Sequence, residues 1–127
     1  MAEIGSVVWS ELNTHDVARA KAHYAAVMGW SYTEAETPDG PYVMAMKGDA
    51  PVMVGIFDLG DLVPDVPDHW ITYVSVADVD AAAAATEADG GTVLRAPFDM
   101  PGTGRIAVLK DPGGGVYGVM TVAEEAG

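Results

Sequence analysis

Glu11 is the one acidic side chain in the middle of an apolar strand-like run, Val7-Val8-Trp9-Ser10-Glu11-Leu12. Two roles suit it. Bonded to helix or loop backbone near a strand end, it is a structural carboxylate. Turned toward a ligand, it is a buried acceptor that orients the ligand, or a general base, because desolvation favours the protonated acid. Asp58 opens an acid-rich stretch and reads as a solvated strand end. His15, in a turn, and His23, on the polar side of a helix, read as surface residues, whereas His69 starts a strand and can face an interior. The chain has no cysteine, which excludes thiolate catalysis, thiolate metal sites and disulfides. Trp9, Trp30, Trp70 and Tyr73 are among the large aromatics, and an indole facing a cavity is a stacking surface for a flat or cationic ligand.

The elements that must position these residues occur twice. Asp16-Val17 with Gly29 recurs 62 residues later as Asp78-Val79 with Gly91, and the same offset carries Gly40 to Gly102, Asp49 to Asp111 and Val54 to Val116. Such repetition means that two half-size units share a core or build one site. In the first copy a strand precedes Asp16, an N-cap whose carboxylate accepts a free backbone N–H. The helix behind it has Val17, Ala20, Tyr24 and Val27 at helical spacing, a single buried stripe. Gly29 ends it in the left-handed conformation. Three strands follow: Trp30 to Thr33, Tyr42 to Lys47 and Pro51 to Phe57, with turns at 37–41 and 48–49. The second copy runs as strand Trp70 to Val76, helix Val79 to Asp89, strand Thr92 to Leu94, a loop from Pro97 to Gly104, then strands Arg105 to Lys110 and Val116 to Val122. That loop is long enough to serve as a lid, with Phe98 and Met100 as its covering side chains. The expected plan is one domain of 127 residues, with module 1 about 5–58, a connection 59–68 and module 2 about 69–122.

Composition excludes several functions. A net charge of −13 with six basic residues repels phosphate backbones, so nucleic acid is not an expected partner. Neither a membrane-spanning run nor a secretory signal is visible, and the expected compartment is the cytoplasm. The glycine-rich stretches 102–105 and 111–115 precede strands rather than helices, so neither can aim a helix N-terminus at a phosphate.

Trp9-Ser10-Glu11-Leu12-Asn13-Thr14-His15-Asp16, followed by Ala22-His23-Tyr24 through Met28-Gly29-Trp30, resembles the opening of a vicinal oxygen chelate protein, the glyoxalase and bleomycin-resistance superfamily. The second half is similar to that family's C-terminal module in His69-Trp70, Val76-Ala77-Asp78-Val79-Asp80, Gly90-Gly91-Thr92-Val93 and Gly104-Arg105-Ile106 running into Asp111-Pro112-Gly113-Gly114. The resemblance covers residues 5 to 122 and implies an α+β fold. Two tandem βαβββ modules would form curved mixed sheets around one cavity, with the helices on the outer face and a homodimer as the expected assembly.

In the metal-dependent members, four side chains hold a divalent ion, one from the first and one from the last strand of each module. Counting from the aspartates puts those positions at Trp9, Ile56, Ile71 and Gly118. None can ligate a hard cation, which needs carboxylate, imidazole or carbonyl donors. Strand alternation adds Val7, Glu11, Val54, Asp58, His69, Tyr73, Val116 and Met120 to the same side, while Trp70 is assigned to the helix side. The expected ligand-cavity residues are therefore Trp9, Glu11, Ile56, His69, Ile71, Tyr73, Gly118 and Met120, with no metal and no cofactor. The favoured function is metal-free binding of a small aromatic or cationic molecule. The alternative is a glyoxalase-like lyase or isomerase that uses Glu11 as base, or a displaced metal site built from Glu11, Asp58 and a histidine.

Overall fold

Asp16 and Asp78 start the two helices, as their spacing demands: each carboxylate accepts a backbone N–H three residues on, from Arg19 and Ala81, at 3.0 Å. The computed structural model describes residues 3–37, 40–60, 64–100 and 104–122. Among these the order is β1 (Val7–Thr14), α1 (Val17–Met28), β2 (Ser31–Thr37), β3 (Gly40–Lys47), β4 (Ala50–Asp58), β5 (His69–Ser75), α2 (Val79–Ala88), β6 (Thr92–Met100), β7 (Gly104–Lys110) and β8 (Val116–Val122). The fold is α+β, and the βαβββ module occurs twice in tandem. No helix among the described residues is long and apolar enough to cross a membrane.

The chain divides into two compact units, residues 9–71 and a second made of residues up to 8 with those from 72 onward. In the first unit the strands lie in the order β2-β3-β4-β1, with β1 parallel to β4 and the other neighbours antiparallel. In the second, β6-β7-β8-β5 repeats that order, with β5 parallel to β8. Each unit's set of strands is therefore mixed. Helix α1 covers Leu12, Val43 and Ile56 with Val17, Ala20 and Tyr24. The expected stripe stops there, since Val27 is 61% exposed. Gly29 ends α1 at φ 73°, and its N–H donates to the Ala25 carbonyl. In the second unit Val79 and Ala83 of α2 pack on Ala107, Leu109 and Val119.

Three expectations about these elements change. The long loop is strand: β6 runs through Pro97, Phe98, Asp99 and Met100, pairing Phe98 with Ile106 and Asp99 with Arg105, so Phe98 and Met100 belong to a ladder and not to a lid. Its remaining residues 101–103, like the turn residues 38–39, lie outside the described ones. The first strand after α1 is longer than expected and runs to Thr37. Finally, the repeat offset is not constant. Glu11 pairs with Gly55 and Tyr73 with Gly118, so the first strands are 62 residues apart and the last strands 63. That single residue moves Ile56 to the other face. It pairs with Leu12, is 1% exposed, and lies under α1. Ile56 is thus a core residue, and Gly55 takes the position expected for it.

Candidate functional site

On the face of the first unit's strands turned away from α1, alternation along β1 places Trp9, Glu11 and Asn13. Gly55 of β4 lies beside Glu11, and Met44 of β3 beside Gly55. Tyr42, two residues before Met44, shares that face. Its ring fills the space that Gly55 leaves, and a Cβ at position 55 would overlap the hydroxyl oxygen. The Trp9 indole N–H donates to Tyr42 Oη at 3.0 Å, and Tyr42 O–H donates to Glu11 Oε2 at 2.8 Å. A phenol has one proton, so the chain has a fixed direction, from indole through hydroxyl to carboxylate. Glu11 is 8% exposed, while Trp9 and Tyr42 are half-buried. The two aromatics are thus more exposed than the carboxylate beside them.

The second module repeats the packing but not the charge. Tyr73 stands where Glu11 stands in the first module, 3% exposed, and its ring lies over Gly118. Ile71 shares that face of β5, and Met120, on the Gly118 face of β8, sits opposite Ile106; all three are buried. His69 is half-buried at the start of β5, with its ring Nδ1 2.8 Å from the Pro67 carbonyl oxygen. The structure thus brings Trp9 and Glu11 together around Tyr42, and Tyr73 together with Gly118. It does not bring Ile56 to either group. Tyr42 escaped the sequence reading, although glycine inside a strand signals the close approach of another group. Trp70 meets α1, its ring edge-on to Tyr24 at 5.7 Å between centroids.

A hard divalent ion does not fit these positions. The first- and last-strand residues on the relevant faces are Trp9, Gly55, Ile71 and Gly118, none with a side-chain donor. The displaced set fails as well. Asp58 pairs with Thr14 at the end of β4, and its Oδ1 accepts the Gly60 N–H. The His15 ring nitrogens face the carbonyls of Gly60 and Val66. Among the described residues no three His, Asp or Glu side chains converge as a metal site.

Comparison with known proteins agrees with this architecture. The model of the Glyoxalase/Bleomycin resistance protein/Dioxygenase superfamily matches residues 4–116. "Putative glyoxylase CFP32" of Mycobacterium bovis is 40% identical over 124 residues, which is 97% of this chain and 46% of that protein. "Anthracycline biosynthesis protein DnrV" of Streptomyces peucetius is 28% identical over 140 residues, 97% of this chain and 51% of that protein. The chain thus spans about half the length of the curated relatives it matches. A Streptomyces coelicolor methylmalonyl-CoA epimerase variant superposes with a TM-score of 0.68 at 18% identity, over 98% of this chain and 99% of the enzyme. That likeness shows the fold. With the family model matched across both modules, the chain belongs to the Glyoxalase/Bleomycin resistance protein/Dioxygenase superfamily.

Proposed function

We propose that the chain is a metal-free small-molecule-binding member of this superfamily, and that its first module holds an aromatic or cationic ligand against Trp9 and Tyr42. The observation that carries this reading is the directed chain from Trp9 through Tyr42 to Glu11 above Gly55. An indole and a phenol offer flat surfaces, and the carboxylate behind them favours positive charge in front. The faces that would carry an ion instead carry aromatic, aliphatic and glycine residues. Two relatives named for anthracycline biosynthesis lend support, because an anthracycline is a polycyclic aromatic.

Calorimetry and thermal shift with an anthracycline, a neutral polycyclic aromatic and a small oxo-acid test the proposal. The expected result is saturable binding of the aromatics without added metal, and a raised melting temperature by linkage. Glu11→Gln should weaken the cationic ligand about tenfold and leave the neutral one nearly unchanged, a loss of about 1.4 kcal/mol. A stoichiometric divalent ion carried through purification, on which binding depends, would overturn it. So would equal affinity of wild type, Glu11→Gln and Tyr42→Phe for every ligand.

A further inference from the structure

The repeat supplies an internal control for its own hairpins. In the second module β7 and β8 pair in one unbroken register, from Gly104 with Val122 to Lys110 with Val116. In the first, Met44 of β3 pairs with Gly55 of β4 and Met46 pairs with Pro51, so Ala45 alone faces Val52, Met53 and Val54. Strand β4 therefore bulges there. At the centre of the bulge Met53 has φ 61°, the one positive φ among the described residues that does not fall on glycine; the seven others do. A left-handed backbone disfavours an L side chain, and such strain persists where packing or function holds it in place. Packing is a poor account of it, because Met53 is 51% exposed.

The bulge adjoins the proposed ligand face. Val54 pairs with Ser10 and Gly55 with Glu11, so Met53, one residue before Val54, stands at the Trp9 end of that face. Met44 beside Gly55, and Met46 two residues on, are half-buried. The second module has Val108 beside Gly118 and no methionine on β7, and there Tyr73 takes the place of Glu11. The thioethers of this hairpin thus accompany the Trp9–Tyr42–Glu11 chain. We infer that Met53 is the specificity-determining residue of this site, its thioether closing on the edge of a fused-ring aromatic ligand whose face lies on Trp9. The inference deepens the ligand reading and rests on it. A thioether is polarizable, has three rotatable bonds and meets aromatic rings well at their edges, while an indole offers a face. Two residues of strand separate Met53 from Gly55, a span of at most about 7 Å. A ligand seated over Tyr42 and Gly55 reaches Met53 only when its ring system is longer than that. Glycine at position 53 would relieve the backbone and leave the ring edge uncovered.

Calorimetry with doxorubicin, a fused-ring cation, and naphthylmethylamine, a shorter bicyclic cation, tests the inference together with peroxide footprinting read by mass spectrometry. Saturating doxorubicin should slow sulfoxide formation at Met53 by about fivefold or more and leave Met28, 47% exposed at the end of α1, unchanged. Met53→Gly and Met53→Asn should each weaken doxorubicin about tenfold and leave naphthylmethylamine within about twofold. Both substitutions suit the left-handed backbone, so neither threatens folding. Equal affinity of the wild type and both variants for doxorubicin overturns the inference, as does Met53 oxidation that bound doxorubicin does not slow. A loss in Met53→Gly that Met53→Asn does not share overturns it too, because the effect would then belong to the backbone. Failure of the ligand reading looks different: the wild type then binds neither probe, and the inference falls with it.

Discussion

Gly55 and Gly118 are held by their neighbours rather than by their own backbone. Each lies mid-strand with a tyrosine in the space a side chain would need. The two differ in how that tyrosine can answer. Tyr73 is 3% exposed, so Gly118→Ala forces a buried ring to move, and overpacking of that kind should cost about 1–3 kcal/mol in urea unfolding. Tyr73→Leu in the same chain should recover part of the loss. A neutral Gly118→Ala would mean that the ring is not wedged over the glycine. Tyr42 is half-buried and its hydroxyl serves two partners, so Tyr42→Phe removes an acceptor from Trp9 and a donor from Glu11. The same measurement should show a loss of about 1–3 kcal/mol; no loss would mean that the hydroxyl chain does not persist in solution. Met53, two residues before Gly55, sits in the left-handed region at φ 61° on the strand where the β3–β4 register shifts. Because that conformation costs an L-residue about 1–2 kcal/mol, Met53→Gly should stabilise the protein by somewhat less, and a destabilised variant would show that the side chain, though 51% exposed, contributes packing.

At the scale of elements, the helices and the positions of the last strands were legible, and the face of the first module's last strand was not. Asp16, Asp78 and Gly29 act through bonds to residues three or four positions away, so their spacing carries the structure with it. Which face Ile56 occupies depends on pairing with a strand more than forty residues distant, and one residue of slip inverts every side chain. The site divides in the same way. Glu11 and Trp9 stood out as unusual residues in their strand, whereas Tyr42 is an ordinary strand aromatic until Gly55 is set beneath it. The connection also has an element-level function. Asp68 accepts the Thr14 hydroxyl at 2.5 Å and the His15 N–H at 3.0 Å, tying the start of β5 to the end of β1. The Thr14 hydroxyl, then the His15 N–H, hold the Asp68 carboxyl below the ordinary carboxylate value. A group depressed on folding contributes stability that is present above the unfolded pKa and disappears as pH falls through the folded one. The wild type should therefore lose part of its melting temperature below about pH 4, and Asp68→Asn should be less stable at neutral pH with a flatter acid limb. Parallel acid limbs for the two proteins would remove Asp68 from the account.

For the whole molecule, charge and repetition pull in different directions. The doubled βαβββ plan was legible because the two copies share cap, turn and strand order, and the structure alters that plan by a single residue at the last strand. Nineteen acids against six bases, however, give the chain a self-repulsion that no pairing among so few cations can cancel. The described ion pairs are exposed ones: Arg105 to Asp80 at 2.8 Å and to Asp99 at 3.2 Å, and Lys21 to Glu34 at 3.7 Å. Such pairs contribute little and are weakened by salt. Repulsion spread over the surface is weakened by salt too, and the two effects have opposite signs. Raising ionic strength from about 0.01 M to about 0.15 M shortens the screening length from about 30 Å to about 8 Å, which removes the long-range repulsion first and spares contacts near 3 Å. The melting temperature should rise by about 2–5 °C over that range. Arg105→Gln should enlarge the rise, because it removes a positive charge and the pairs that salt would have weakened. A fall in melting temperature with salt would mean that the Arg105 bridge outweighs the net charge, and that the acidity is compensated locally.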